Sequence, residues 1–420
     1  MATLASMLYD MGNTVSGYDD AKDYKFTEKG LRERGIEIFY DSTHPLDKDT
    51  IVTASKAFSD DHREIKRIKE LGLTFKPYNE VVGEITAKFD TISVCGTHGK
   101  TTTTSLLKHL FEGSIGCNYF IGDGQGHIDL KNKLLVIESD EFNRHFLAYH
   151  PKTAVITCVE LEHTEIYKDI VDTIATFEKF ANKAELVVAN GDDENIRQIK
   201  FNNEVIFYGE KENNDYIIKN IKLDSEGSSF DLYEKDKLIS NFFVPLYGHH
   251  MVMNTVASVI VALRNGLTSE KIKKLLENFK NAARRFAIEQ VKDTIIVDDY
   301  AHHPTEIKVT LEAIKQKYPD KKLVVVFKPN TYSRTKDFTK EFISSLSIAD
   351  KVFMTEIDSN RERQEDYPGV NSNIILDHIK DGEIIDEKSI SKLLPYKNDV
   401  ICFMSCASVS HLIEEFKKII

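Results

Sequence analysis

Apolar residues along this chain follow two rhythms that alternate almost from end to end. Short, nearly unbroken apolar runs at 91–95, 134–138, 154–159 and 186–189, and again at 294–297, 323–327, 351–355 and 400–404, have the length of buried strands. Between them, apolar residues recur at three- and four-residue spacing and predict amphipathic helices, among them 105–111, 254–264 and 269–279. Such alternation is the signature of an α/β fold with largely parallel sheets. One stretch breaks the rhythm: 217–244 alternates apolar and polar residues around Asp224-Ser225-Glu226-Gly227, which predicts β-hairpins. The beginning is different again, with a helix at 2–11 ahead of a strand at 13–17, a helix near 26–34, a strand at 51–54 and a helix at 61–71. A Rossmann-type domain starts instead with a strand and a glycine-rich turn into its first helix. These shifts divide the chain into three expected domains, 1–89, 90–287 and 288–420.

Composition adds bounds to that picture. The chain has 420 residues, 41% hydrophobic and 29% charged, which suits two to four globular domains. No window approaches the roughly 18 unbroken apolar residues of a membrane span. The opening MATLASMLYD lacks a basic n-region, so no signal peptide is expected. A net charge of −12 argues against a general nucleic-acid binder but leaves room for locally held phosphates. Cys95, Cys117, Cys158, Cys402 and Cys406 form no C-x-x-C pair and sit among apolar neighbours. They are expected as free thiols in a reducing cytoplasm rather than as a disulfide frame or zinc site.

The sharpest chemical signal is Gly96-Thr97-His98-Gly99-Lys100-Thr101, followed by Thr102, Thr103 and Thr104, between a strand and a helix. Glycines let backbone N–H groups converge on a phosphate, Lys100 adds a mobile charge, and the Thr101 hydroxyl is placed for magnesium. Glu138 ends an apolar strand and begins Glu138-Ser139-Asp140-Glu141, a position suited to a metal ligand. His163, after Glu160-Leu161-Glu162, is a second candidate as ligand or base. Further on, Asp298-Asp299-Tyr300-Ala301-His302-His303-Pro304 follows one strand and Asn330-Thr331-Tyr332-Ser333-Arg334-Thr335 the next. Open α/β sheets bind ligands at such strand ends, and an arginine there can hold a carboxylate or phosphate.

Assembled, these residues make the chain resemble the Mur ligases over nearly its whole length. The resemblance rests on GTHGKTTTT at 96–104, Glu138, the acid-plus-His motif ending at His163, Gly248/His250/Asn254, Arg284-Arg285-Phe286, DDYAHHP at 298–304 and YSRT at 332–335. The His inside the loop together with DDYAHHP points to the alanine-adding branch.

The resemblance implies a Rossmann-like UDP-binding domain, a central P-loop ATPase domain with a parallel sheet plus a small antiparallel one, and a C-terminal Rossmann-like domain. It implies an ATP- and Mg2+-dependent acid–amino-acid ligase of peptidoglycan synthesis. Such an enzyme joins UDP-N-acetylmuramic acid to L-alanine through an acyl phosphate, in the cytoplasm, as a monomer or homodimer without nucleic-acid or membrane partners. Carried over residue by residue, Lys100, His163, His302 and Arg334 are catalytic. Gly96, Thr97, His98, Gly99, Lys100, Thr101, Thr102, Asn254, Arg285 and Asp299 meet the nucleotide, with Asn254 at the adenine. Thr101, Glu138 and His163 hold magnesium, and Asp19, Tyr300, His302 and Arg334 meet the substrates. Two alternatives are a murein peptide ligase, which attaches a whole peptide to the same nucleotide sugar, and a nucleotide-binding paralogue without chemistry.

The chain also departs from the family pattern. Cys158 stands for an Asn, Glu162 for an Asp, Asn330 for a His, and Ser405-Cys406-Ala407 for Gly-Ala-Gly. Met1 aligns with the methionine of the family's G-x-G-S-G-M turn, so the first strand and most of that turn are expected upstream of residue 1.

Overall fold

The computed structural model describes residues 1–20, 22, 26–55, 58–282, 284–359 and 362–420. Its contacts group the chain into two compact units. One comprises Met1–Lys219, Asp231–Phe242 and Met253–Phe279; the other comprises Asn220–Phe230, Phe243–Val252 and Lys280–Ile420.

A ten-stranded sheet, most of it in the first unit, has its strands, edge to edge, in the order Lys237–Val244, Ser228–Glu234, Tyr216–Leu223, Glu204–Gly209, Leu186–Asn190, Thr153–Ile156, Asp90–Cys95, Leu134–Glu138, Asn118–Phe120 and Gly126–His127. From Glu204–Gly209 to Asn118–Phe120 neighbours pair parallel, so all their C-terminal ends share one edge. Asp90–Cys95 is central, buried at every position but its first, which explains its continuous apolar pattern. The expected hairpin stretch forms three consecutive neighbours turning at 224–227 and 235–236.

The opening segment is not separate from this sheet. Leu4, Met7, Val81, Val82 and Ile85 share one buried core with Ile137, Phe146, Phe177 and Phe180. Each large side chain so buried contributes roughly 1.5–3 kcal/mol. The Arg34 guanidinium grips Asp10 with two bonds of 2.8 Å, and the Asp10 carboxylate also meets His127 Nδ1 at 3.0 Å. The strand expected at 13–17 lies at Ser16–Tyr18 and pairs with Glu37–Phe39, which periodicity did not reveal. Ile51–Val52 and Thr74–Phe75 form a second two-stranded parallel ribbon.

The second unit holds a sheet in the order Ala287–Val291, Thr294–Asp299, Val400–Met404, Leu323–Phe327, Lys351–Met354 and Glu383–Ile384. All neighbours are parallel except the first pair. Helix Pro304–Lys317 follows Thr294–Asp299. His303 caps it, Glu306 completes the reciprocal bond, and Pro304 takes the first turn, where its missing N–H costs nothing. All five cysteines are free, and no helix among the described residues is long and apolar enough to cross a membrane.

Candidate nucleotide and metal site

Strand Asp90–Cys95 delivers the phosphate loop to the C-terminal edge of the sheet. Gly96 has φ +135°, and a Cβ there would fall 2.0 Å from Thr157 Oγ1. Gly99 has φ +84°, and its Cβ would fall 2.6 Å from Asn254 Oδ1. Neither place admits a side chain. Asn254, expected at the adenine, is buried with its carboxamide against Gly99. The following helix is Lys100–Glu112, starting five residues before the expected 105–111, so Lys100, Thr101 and Thr102 stand in its first turn. Thr97 exchanges bonds with the Glu160 backbone, accepting from its N–H at 2.8 Å and donating to its carbonyl at 3.2 Å. The His98 N–H donates to Cys158 Sγ at 3.2 Å, so the thiol standing for an Asn keeps an acceptor at the loop.

Lys100 Nζ donates to the Gly96 carbonyl at 2.6 Å and the Thr97 carbonyl at 3.1 Å. Its counter-charge is Glu141, with Oε1 at 3.0 Å and Oε2 at 2.8 Å. Burial alone would weaken the Lys100 proton, but Glu141 and Asp140 outweigh it and hold the ammonium charged. Burial pushes the Glu141 carboxyl up, with Lys100 pulling it back. Glu141, Glu162 and His163 bring three ligand atoms within 4.8 Å of one another. Burial pulls the His163 imidazole down, but Glu165, Glu162 and Glu141 overcome it and the net shift is upward.

This grouping shares His163 with the expected trio of Thr101, Glu138 and His163, and the other two members of that trio touch. Thr101 Oγ1 donates to Glu138 Oε1 at 2.9 Å, and Glu138 Oε2 accepts the Gly122 N–H at 2.8 Å. Glu138 therefore meets the Thr101 hydroxyl at the helix start, while Glu141 and Glu162 gather around His163. The run Glu138-Ser139-Asp140-Glu141 pointed to Glu138, and nothing in it signalled that Glu141 faces Lys100 and His163. Two carboxylates and one imidazole fit a hard divalent cation that completes its shell with phosphate or water.

In the second unit, Asp299 is buried at the end of its strand. It accepts the Phe286 N–H at 2.7 Å and the Ala301 N–H at 2.8 Å, and burial raises its carboxyl against the pull of Arg285. The Arg285 and Arg284 guanidinium groups lie 4.7 and 5.4 Å from the Tyr300 ring centroid. His302 Nδ1 is 3.0 Å from the Tyr300 carbonyl and 3.1 Å from Glu306 Oε2. Arg334 is half-buried on helix Tyr332–Asp337, whose first N–H groups donate to Glu362. Arg284 also donates to the Ser405 and Ala407 carbonyls, holding the segment that stands for Gly-Ala-Gly.

Asp19, in the first unit, follows Ser16–Tyr18, and its N–H donates to the Phe39 carbonyl at 3.0 Å. Beside it, Asp20 accepts from Tyr18 and Arg63 and meets His62 Nε2 at 2.9 Å. That group went unnoticed in the sequence because its members are 42 to 45 residues apart.

Family models match the chain in three places: "Mur ligase family, catalytic domain" at residues 1–90, "Mur ligase middle domain" at 94–262 and "Mur ligase, glutamate ligase domain" at 284–406. A UDP-N-acetylmuramate–L-alanine ligase of Lacticaseibacillus paracasei is 41% identical, over 100% of this chain and 96% of the relative. One from Lacticaseibacillus casei is 42% identical, over 97% and 93%. Among solved structures, the UDP-N-acetylmuramate–alanine ligase MurC of Thermotoga maritima superposes with TM-score 0.81 at 24% identity, covering 100% of this chain and 96% of that one.

Proposed function

The chain belongs to the Mur ligase family, and from that premise we propose that it is an ATP-dependent ligase joining the carboxylate of UDP-N-acetylmuramic acid to L-alanine. The observation that carries this reading is the meeting of Lys100, Glu141, Glu162 and His163 beside a glycine-tight loop. The names of the full-length relatives support the choice of substrates.

Phosphoryl transfer to a carboxylate asks for positioning and charge neutralisation more than for covalent help. Backbone N–H groups of 96–101 hold phosphate oxygens, and Lys100 moves from its carbonyl partners to the transferring group. Thr101, Glu138 and His163 would hold Mg2+, with Glu141 and Glu162 gathered around His163 beside them; when bound, the ion neutralises charge building on the phosphates. In the second unit Tyr300, His302 and Arg334 would receive the sugar carboxylate and the amino acid, the arginine as a carboxylate anchor. Arg285 and Asp299 would meet the nucleotide, and Asp19 the UDP. The functional division into 1–89, 90–287 and 288–420 is supported by where the family models begin and end.

The test is phosphate release from ATP and Mg2+, with UDP-N-acetylmuramic acid and L-alanine added singly and together. Release that needs both is the expected result. Release with a free tripeptide but not L-alanine would instead identify a peptide ligase. Nucleotide binding without release under any combination would overturn the enzymatic reading.

A further inference from the structure

Tyr167 lies just beyond the acid-plus-His motif, is 1% exposed, and has no part in the chemistry above. Its two polar ends are both committed. The phenol donates to the Glu141 carbonyl at 2.6 Å, and the backbone N–H donates to the His163 carbonyl at 2.9 Å. Glu141 and His163 stand on loops from different strands, Leu134–Glu138 and Thr153–Ile156, which flank Asp90–Cys95 without touching each other. One residue therefore ties the two loops at cluster residues, its side chain reaching across to Glu141 and its backbone bonded to His163 four residues before it.

The surroundings fix Tyr167 in turn. The Arg144 guanidinium lies over its ring at 4.9 Å and is held by Asp172 at 2.7 Å and by Thr176. The Arg144 N–H donates to the same Glu141 carbonyl at 2.8 Å. Both loops need the help, because Asn143, Arg144 and His163 have φ of +51°, +57° and +54°, a region that side chains enter only when neighbours hold them there.

We propose that Tyr167 is a positioning residue that sets the separation of Glu141 and His163, and hence the affinity of their cluster for a divalent cation. The inference rests on the metal role assigned to that cluster. Partners that orient ligands from behind typically change metal affinity by about 10–100-fold. A single neutral bond to a backbone carbonyl belongs at the lower end of that range.

The experiment compares the full-length protein with Tyr167→Phe and with Tyr208→Phe. Tyr208 is also fully buried, but its hydroxyl meets no partner among the described residues, so its loss controls for removing a buried oxygen. Mn2+ binding is followed by the free-ion EPR signal, with ADP present. ADP binding in EDTA and thermal melting are measured alongside. The expected result is Mn2+ affinity weakened about tenfold in Tyr167→Phe only, with metal-free ADP binding unchanged in both variants. Mn2+ affinity within twofold of the parent, or an equal loss in Tyr208→Phe, overturns the role of Tyr167 alone. A parent protein that binds no Mn2+ overturns the metal reading of the cluster and this inference with it.

Discussion

The phosphate-loop region and the strand-end region at 298–306 use the same residue types to opposite ends. Around the loop, ionisable side chains face one another. Lys100 is buried against Glu141, and Glu141 approaches Glu162 and His163. Around 298–306 they also meet backbone. Asp299 accepts two N–H groups, His303 caps a helix, and Glu306 accepts the N–H groups of both histidines. The first arrangement stores desolvated charge that a ligand can rearrange; the second fixes the chain path that carries Tyr300 and His302. A buried acid is thus no sufficient sign of catalysis, because what its oxygens meet decides its work.

If the contrast is right, the largest effect comes from unbalancing the loop. Lys100→Met leaves Glu141 buried without its counter-charge, and stability measured by urea melts should fall by about 3–5 kcal/mol. Phosphate release should drop roughly 100- to 1,000-fold. The double variant Lys100→Met/Glu141→Gln should recover most of the stability and none of the activity. A single variant as stable as the parent would mean that the pair is not the buried charge couple described.

Next in size is Asp299→Ala, which strands two buried N–H donors at about 1–3 kcal/mol each. A loss of roughly 2–4 kcal/mol in urea melts is expected. A much smaller loss would show that Asp299 is not there to hold backbone, and would move that region closer in kind to the loop.

The smallest effect is a pH dependence confined to the first region. The net upward shift of His163 means that the folded protein holds this proton more tightly than the unfolded chain. Its contribution is therefore complete below the ordinary histidine value of about 6.5 and is lost as pH rises through the raised one. The melting difference between the parent and His163→Asn, without added metal, should shrink over that interval. A difference that grows with pH would reverse the sign of the shift.

Much of this was legible in the sequence, and the misses have physical causes. The buried parallel strands announced themselves because both faces are covered, as at Leu323–Phe327 and Val400–Met404. Ala287–Val291 went unseen because it is an edge strand with no buried position, recognisable only by its ladder to Thr294–Asp299. The helix start at Lys100 was missed because Thr101 to Thr104 are poor helix formers. There, left-handed Gly99 and the burial of all four threonines override local preference.

The sequence by itself determined the α/β class, the loop at 96–101 and the strand ends that carry chemistry, because periodicity and glycine requirements are local properties of a chain. Only the tertiary structure decided what each acid meets. Glu138 and Glu141 are three residues apart and chemically alike, yet one holds Thr101 and the other faces Lys100 and His163. That difference depends on distances between strands that meet only in the folded sheet, where low polarity strengthens each contact.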